Sequence, residues 1–97
     1  MAKVLTAAQT LLSAVAATGA SVAVRPHLSD ADRIVFQVTG ITTATVTIQA
    51  SLDGTNWFST GTALTADGLA SDANSYPYYR ANVTAYTSGT ITVKVMW

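Results

Sequence analysis

The side chains able to do chemistry are few. His27 is the single histidine, cysteine and glutamate do not occur, and the five acidic residues are the aspartates Asp30, Asp32, Asp53, Asp67 and Asp72. A nucleophilic triad needs a base beside an activated hydroxyl and an acid to orient the base. His27 follows Pro26 in a loop-like stretch, and no serine stands in a Gly-x-Ser-x-Gly elbow. Glycosidic cleavage would need two of the aspartates face to face, yet all five fall in expected loops or turns, where aspartate is an ordinary residue. Asp30 and Asp32 form a D-x-D, but the further oxygen ligands and terminal acid of an EF-hand loop are missing. No glycine-rich phosphate loop is present, so neither cofactor nor metal is expected. Without cysteine there are no disulfides, zinc thiolates or thiol nucleophiles. The Asn82-Val83-Thr84 sequon lies mid-strand and reads as coincidence. An enzyme is not expected.

Aromatic side chains are the remaining candidates. Trp57, Tyr76 and Tyr78, with Phe58, Tyr79, Tyr86 and Trp97 nearby in the sequence, could form a platform on which sugar rings stack. Aromatics are equally at home in cores and interfaces, where they bury large areas. Sugar sites usually add charged or amide groups around the rings. Such groups are sparse here, which favours the core and interface reading.

These residues must be held by strands. Residues 43–52 alternate strictly, with Ala44, Val46, Ile48, Ala50 and Leu52 on one face and Thr45, Thr47, Gln49 and Ser51 on the other. Asp53-Gly54 then reverses the chain, and residues 57–60 read as a short return strand with Trp57 as its anchor. Residues 33–39 form a strand with Ile34, Phe36 and Val38 inward. It ends at Gly40 and is expected to pair antiparallel with the strand that follows. Residues 21–25 read as a short strand ended by Pro26. Residues 61–68 read as turns and 69–75 as a loop. Residues 76–86 read as the next strand, with Tyr79, Ala81, Val83 and Ala85 on one face and Tyr78, Arg80, Asn82, Thr84 and Tyr86 on the other. A turn at 87–89 leads to a last strand, 90–97, with Ile91, Val93, Val95 and Trp97 inward. Short alternating strands separated by turn signals, with no convincing helix, predict an all-β chain, a single antiparallel β-sandwich of immunoglobulin-like or jelly-roll topology.

The 97 residues suit one domain, with residues 1–18 as an N-terminal extended arm or first strand and 19–97 as the sandwich. Only 10% of residues are charged and the formal net charge is zero, so the basic footprint of a nucleic-acid binder is missing. A mean hydropathy of +0.34 is high for a small soluble monomer and predicts that some apolar surface meets a partner, as in a homo-oligomer or symmetric assembly. The N-terminal stretch superficially resembles a secretory leader, but Thr6, Gln9, Thr10 and Ser13 interrupt its apolar run. It is also too polar to span a membrane.

Two segments carry a resemblance. Residues 45–57, TVTIQASLDGTNW, and 79–93, YRANVTAYTSGTITV, are similar to paired hairpins of small virion proteins of tailed bacteriophages, and residues 10–24 resemble the opening of such proteins. The likeness spans most of the chain. Asp-Gly-x-x-Trp hairpins also occur in fibronectin-like and discoidin-like domains. The resemblance implies a structural virion protein, first of all a capsid cement or decoration protein that bridges neighbouring subunits non-covalently. Its partners would be the major capsid protein or other virion subunits, and it would assemble in the host cytoplasm. A tail or fibre adaptor and a carbohydrate-binding module using Trp57, Tyr76 and Tyr78 are the alternatives. On the first reading, Val4, Leu5, Leu11, Leu12 and Val15 of the arm would contact capsid neighbours, and the arm would be removable without unfolding the domain. Each large aliphatic side chain so buried would contribute about 1.5–3 kcal/mol before ordering costs.

Overall fold

A computed structural model describes residues 9–25, 34–72 and 76–96. Its strands are β1 (Gln9–Val15), β2 (Gly19–Ala20), β3 (Ile34–Ser51), β4 (Phe58–Leu64), β5 (Gly68–Asp72) and β6 (Tyr78–Met96). All pairings are antiparallel, and no helix forms among the described residues. The chain is all-β, as its alternating segments imply.

The two long strands are the frame. β3 and β6 pair from Val35–Met96 at one end to Ser51–Tyr78 at the other. The first half of β3 is flanked by β5, and the adjoining half of β6 by β1. The second half of β3 is flanked by β4, and its partner stretch of β6 by β2. Two four-stranded halves therefore share one β3–β6 ribbon.

The ribbon is bent back on itself. A straight strand of 18 residues would measure roughly 60 Å at about 3.3 Å per residue. The longest extent of the molecule is 44 Å. The bend sits where Gly40 and Gly89 meet. Both have positive φ, +84° and +124°, which glycine adopts without the penalty other residues carry. Space imposes the same choice: a Cβ on Gly40 would fall on the Thr90 carbonyl oxygen, and one on Gly89 would lie 2.5 Å from the Gly40 carbonyl oxygen. The pairing register shifts repeatedly between Thr39 and Ala44, as expected of a bulged corner. Asp67 Oδ1 accepts the Ile41 amide at 2.8 Å, and the Tyr86 hydroxyl donates to the Gly89 carbonyl at 2.7 Å, so the corner's polar groups find partners.

Bending encloses one face of the ribbon. Ile34, Phe36, Val38, Ala44, Val46, Ile48 and Ala50 of β3 and Tyr79, Ala81, Val83, Ile91, Val93 and Val95 of β6 form a single buried cluster. The halves face each other, yet they are hydrogen-bonded parts of one sheet. They are not the two separate sheets of an immunoglobulin-like or jelly-roll sandwich.

Several sequence expectations change. Residues 33–39 and 43–52 do not pair with each other: 34–51 is one strand, and both of its halves pair with β6. The 87–89 segment likewise continues β6 through the corner. The return strand extends to Leu64, and residues 68–72 form a fully paired strand along Ile34–Val38. Residues 21–25 run beside β6, with Ser21 and Val24 amides donating to the Ala81 and Tyr79 carbonyls at 2.7 and 2.8 Å; Val24 and Tyr79 form a single antiparallel bridge, and the two-residue strand Gly19–Ala20 lies just before it. Ala85 is exposed, because a register shift precedes it in the β3–β6 pairing.

The N-terminal expectation is corrected in part. Residues 9–15 are not a free arm. They pair with β6 from Gln9–Val95 to Val15–Ile91, and Leu12 is buried in the chain's own core with Leu11 and Val15 packed against it. β1 carries two bulges and an αL residue, Ala14 at φ 49°, whose amide donates to Thr92 Oγ1 at 3.1 Å. Val4 and Leu5 lie outside the described residues, as does His27 with Asp30 and Asp32.

Candidate functional site

The hairpin joining β3 to β4 is the most tightly tied loop. Ser51 is buried, and its hydroxyl ties the loop: it accepts the Asp53 and Gly54 amides at 3.2 and 2.8 Å and donates to Asp53 Oδ1 at 2.9 Å. That oxygen also accepts the Thr55 and Asn56 amides at 2.8 Å each, and Oδ2 accepts Asn56 Nδ2 at 2.9 Å. The Asn56 and Thr55 amides, then the Asn56 and Ser51 side chains, hold the Asp53 carboxyl well below the usual carboxylate range. Asp53 is thus a loop staple, acceptor-only and ionised. It is not poised as a general acid.

With Ser51 buried, Leu52 turns outward and is 75% exposed, although strict alternation placed it inside. Phe58, paired with Ala50 and so on the same side of the sheet, is 71% exposed. Both border a cleft of about 480 Å³ whose wall also includes Ala50, Thr60 and Tyr76. Among the described residues the wall is largely apolar, and the carboxylate there, Asp53, is already engaged. The cleft can bury an apolar group, and its described lining provides no acid–base pair.

Tyr76 reaches this cleft from the start of β6. Its ring meets that of Tyr79 edge-on, with centroids 5.9 Å apart and planes at 65°. Tyr79 is fully buried, and its hydroxyl donates to Asp72 Oδ2 at 2.8 Å and accepts the Tyr76 amide at 3.4 Å. Burial first, and then the bond to Asp72, pushes its phenol well above the ordinary tyrosine value. This neutral tyrosine joins the two halves of the sheet, since Asp72 belongs to β5 and Tyr79 to β6.

Trp57 and Tyr78 are placed elsewhere, on the outer side of the second half. The Arg80 guanidinium lies over the Trp57 ring at 4.4 Å from its centroid, and that of Arg25 over Tyr78 at 5.0 Å. Gly54 backs the Tyr78 ring, where an added Cβ would sit 3.4–3.6 Å from ring carbons. Arg80 Nε donates to Gln49 Oε1 at 2.7 Å, Asn82 Nδ2 reaches the same oxygen at 3.4 Å, and the Thr47 and Thr84 hydroxyls meet at 3.1 Å. Of the three proposed platform rings, only Tyr76 borders the cleft.

Sequence reasoning put Tyr78, Arg80, Asn82 and Thr84 on one face but missed the arginine–ring pairs. The available signal was that Arg80 shares its strand face with Tyr78. It also missed Leu52 and Phe58 as an exposed pair, for which the serine at 51, ahead of Asp53-Gly54, was the clue. Among the described residues, no three His, Cys, Asp or Glu side chains come together as a metal site. No helix among them is long and apolar enough to cross a membrane. Comparison with models of known families, with curated proteins and with solved structures finds no match to this chain.

Proposed function

We propose that this chain is a structural component of a tailed-phage virion, a capsid cement or decoration protein that holds neighbouring subunits together by non-covalent contact. The observation that carries the reading is the pair Leu52 and Phe58, 75% and 71% exposed and both lining one apolar cleft at a tightly hydrogen-bonded hairpin. Large apolar side chains grouped in this way mark a surface that is covered by a partner. The sequence likeness to phage virion hairpins points to the kind of partner: the major capsid protein or another virion subunit. The sparse charge suits a surface that docks by apolar and backbone contact.

The contact residues shift accordingly. Leu11, Leu12 and Val15 serve the chain's own sheet. The cleft takes over the role first given to the arm, and Val4 and Leu5, which precede β1 in the sequence, remain candidates. The test compares capsids assembled with and without the protein under heating. A cement raises the temperature at which particles rupture, and Phe58→Ser lowers that gain. Equal rupture temperatures would remove the cement role.

A further inference from the structure

The outer side of the second half-sheet carries a second feature, independent of the cleft. Tyr78 and Arg80 lie on one face of β6, roughly 7 Å apart along the strand. Each belongs to an arginine–ring pair: Arg25 on Tyr78 and Arg80 on Trp57. Stacking fixes a planar guanidinium while leaving its N–H edge able to donate. Arg80 is fixed further because Gln49 takes its Nε proton at 2.7 Å. Its terminal nitrogens form no ion pair among the described residues.

The chain's described carboxylates are all committed elsewhere. Asp53 closes its own loop, Asp67 accepts the Ile41 amide, and Asp72 accepts the Tyr79 hydroxyl. Two oriented cations thus stand without a described counter-charge on a molecule whose net charge is zero. Around them, Asn82, Thr47 and Thr84 give a rim of amides and hydroxyls. Tryptophan, tyrosine and arginine are the residue types that dominate interface energetics.

From this charge complementarity we infer that the Trp57–Arg80 and Tyr78–Arg25 pairs form a docking face for a carboxylate-bearing protein surface, each guanidinium receiving an aspartate or glutamate of the partner. Two cations on one face match a pair of carboxylates. A nucleic-acid backbone requires an extended basic track, which the chain lacks. The inference concerns the chemistry of the partner and stands or falls separately from the virion reading.

The test is an NMR titration of the full chain with a short oligoglutamate peptide at low ionic strength, where exposed charges are least screened. The Arg80 and Arg25 Nε–H signals and the Trp57 indole N–H signal are expected to shift saturably together. Arg80→Gln and, separately, Arg25→Gln are each expected to weaken binding about tenfold. Lys94→Gln, exposed on the first half-sheet, should leave it unchanged. Arg25 is exposed, so its variant reports binding even if Arg80→Gln perturbs the sheet. The inference is overturned if these signals do not saturate, if Lys94→Gln weakens binding equally, or if an oligothymidylate of the same charge binds as tightly as the peptide.

Discussion

The rings of Phe36 and Tyr79 lie 6.1 Å apart, centroid to centroid, with their planes at 53°. In the sheet register they should be far from each other. Tyr79 pairs with Ala50, and Phe36 precedes Ala50 by fourteen residues on the same strand, a path of roughly 46 Å if straight. Their contact therefore measures how completely the β3–β6 ribbon folds over. It also explains how one face of two long strands supplies most of the core, which Leu12 and Val24 complete. The Tyr79–Asp72 hydrogen bond secures the same closure from β5.

The corner is expected to tolerate nothing but glycine at position 40. Gly40→Ala places a Cβ on the Thr90 carbonyl at a positive φ. The strain and the clash together should cost roughly 3 kcal/mol or more. Chemical denaturation of the variant checks this, and a loss below about 0.5 kcal/mol, the range of ordinary surface changes, would contradict the corner.

Tyr79 gives the fold an alkaline limit. Its folded pKa lies above the unfolded value of about 10. The stabilisation is complete below that value and is lost as pH rises through and beyond it, because the unfolded chain releases the proton more readily. Tyr79→Phe removes both the bond to Asp72 and this pH dependence. It should cost about 1–2 kcal/mol at neutral pH and flatten the loss of stability above pH 10. Denaturation midpoints between neutral pH and pH 11 for both proteins provide the comparison.

Asp53 acts at the acid end. Its folded pKa is depressed by the loop amides, so its contribution is present above the unfolded value of about 3.9 and fades as pH falls below it. Protection of the Thr55 and Asn56 amides from hydrogen exchange should decline with acid over that window. In Asp53→Asn the protection should be weaker at neutral pH and show no such decline. Exchange read by NMR at several acid pH values tests the staple.

Leu12 separates a strand from an arm. Removing residues 2–15 strips β1 from β6 and exposes the core, so it should destabilise the fold by more than Leu12→Ala does. Leu12→Ala alone should cost about 2–3 kcal/mol, the lower part of the range for buried leucine, since β1 is an edge. Thermal melts of the three proteins decide between the readings.

What the sequence made legible was local. Ala44 to Ala50, Tyr79 to Val83 and Ile91 to Val95 alternate cleanly, and each stretch is buried on the side the pattern implies. Gly40 and Gly89 read as strand ends because a lone glycine usually interrupts a strand. Their role as a corner depends on their meeting across fifty residues, which no local pattern encodes. β5, reading Gly-Leu-Ala-Ser-Asp, has weak strand propensity and is a strand because Ile34–Val38 offers it a pairing edge. The site was legible only as a set of aromatics. That Trp57 and Tyr78 carry arginines, while Tyr76 leans on Tyr79, follows from pairing register and chain crossings, not from spacing.

The central claim is that this protein works by covering and joining other subunits. Sedimentation of the full chain with purified phage capsids tests it most directly. The account predicts saturable co-sedimentation with many copies per particle, reduced by Phe58→Ser. Protein that stays at the top of the gradient as a free monomer, at concentrations that saturate no particle site, would contradict it.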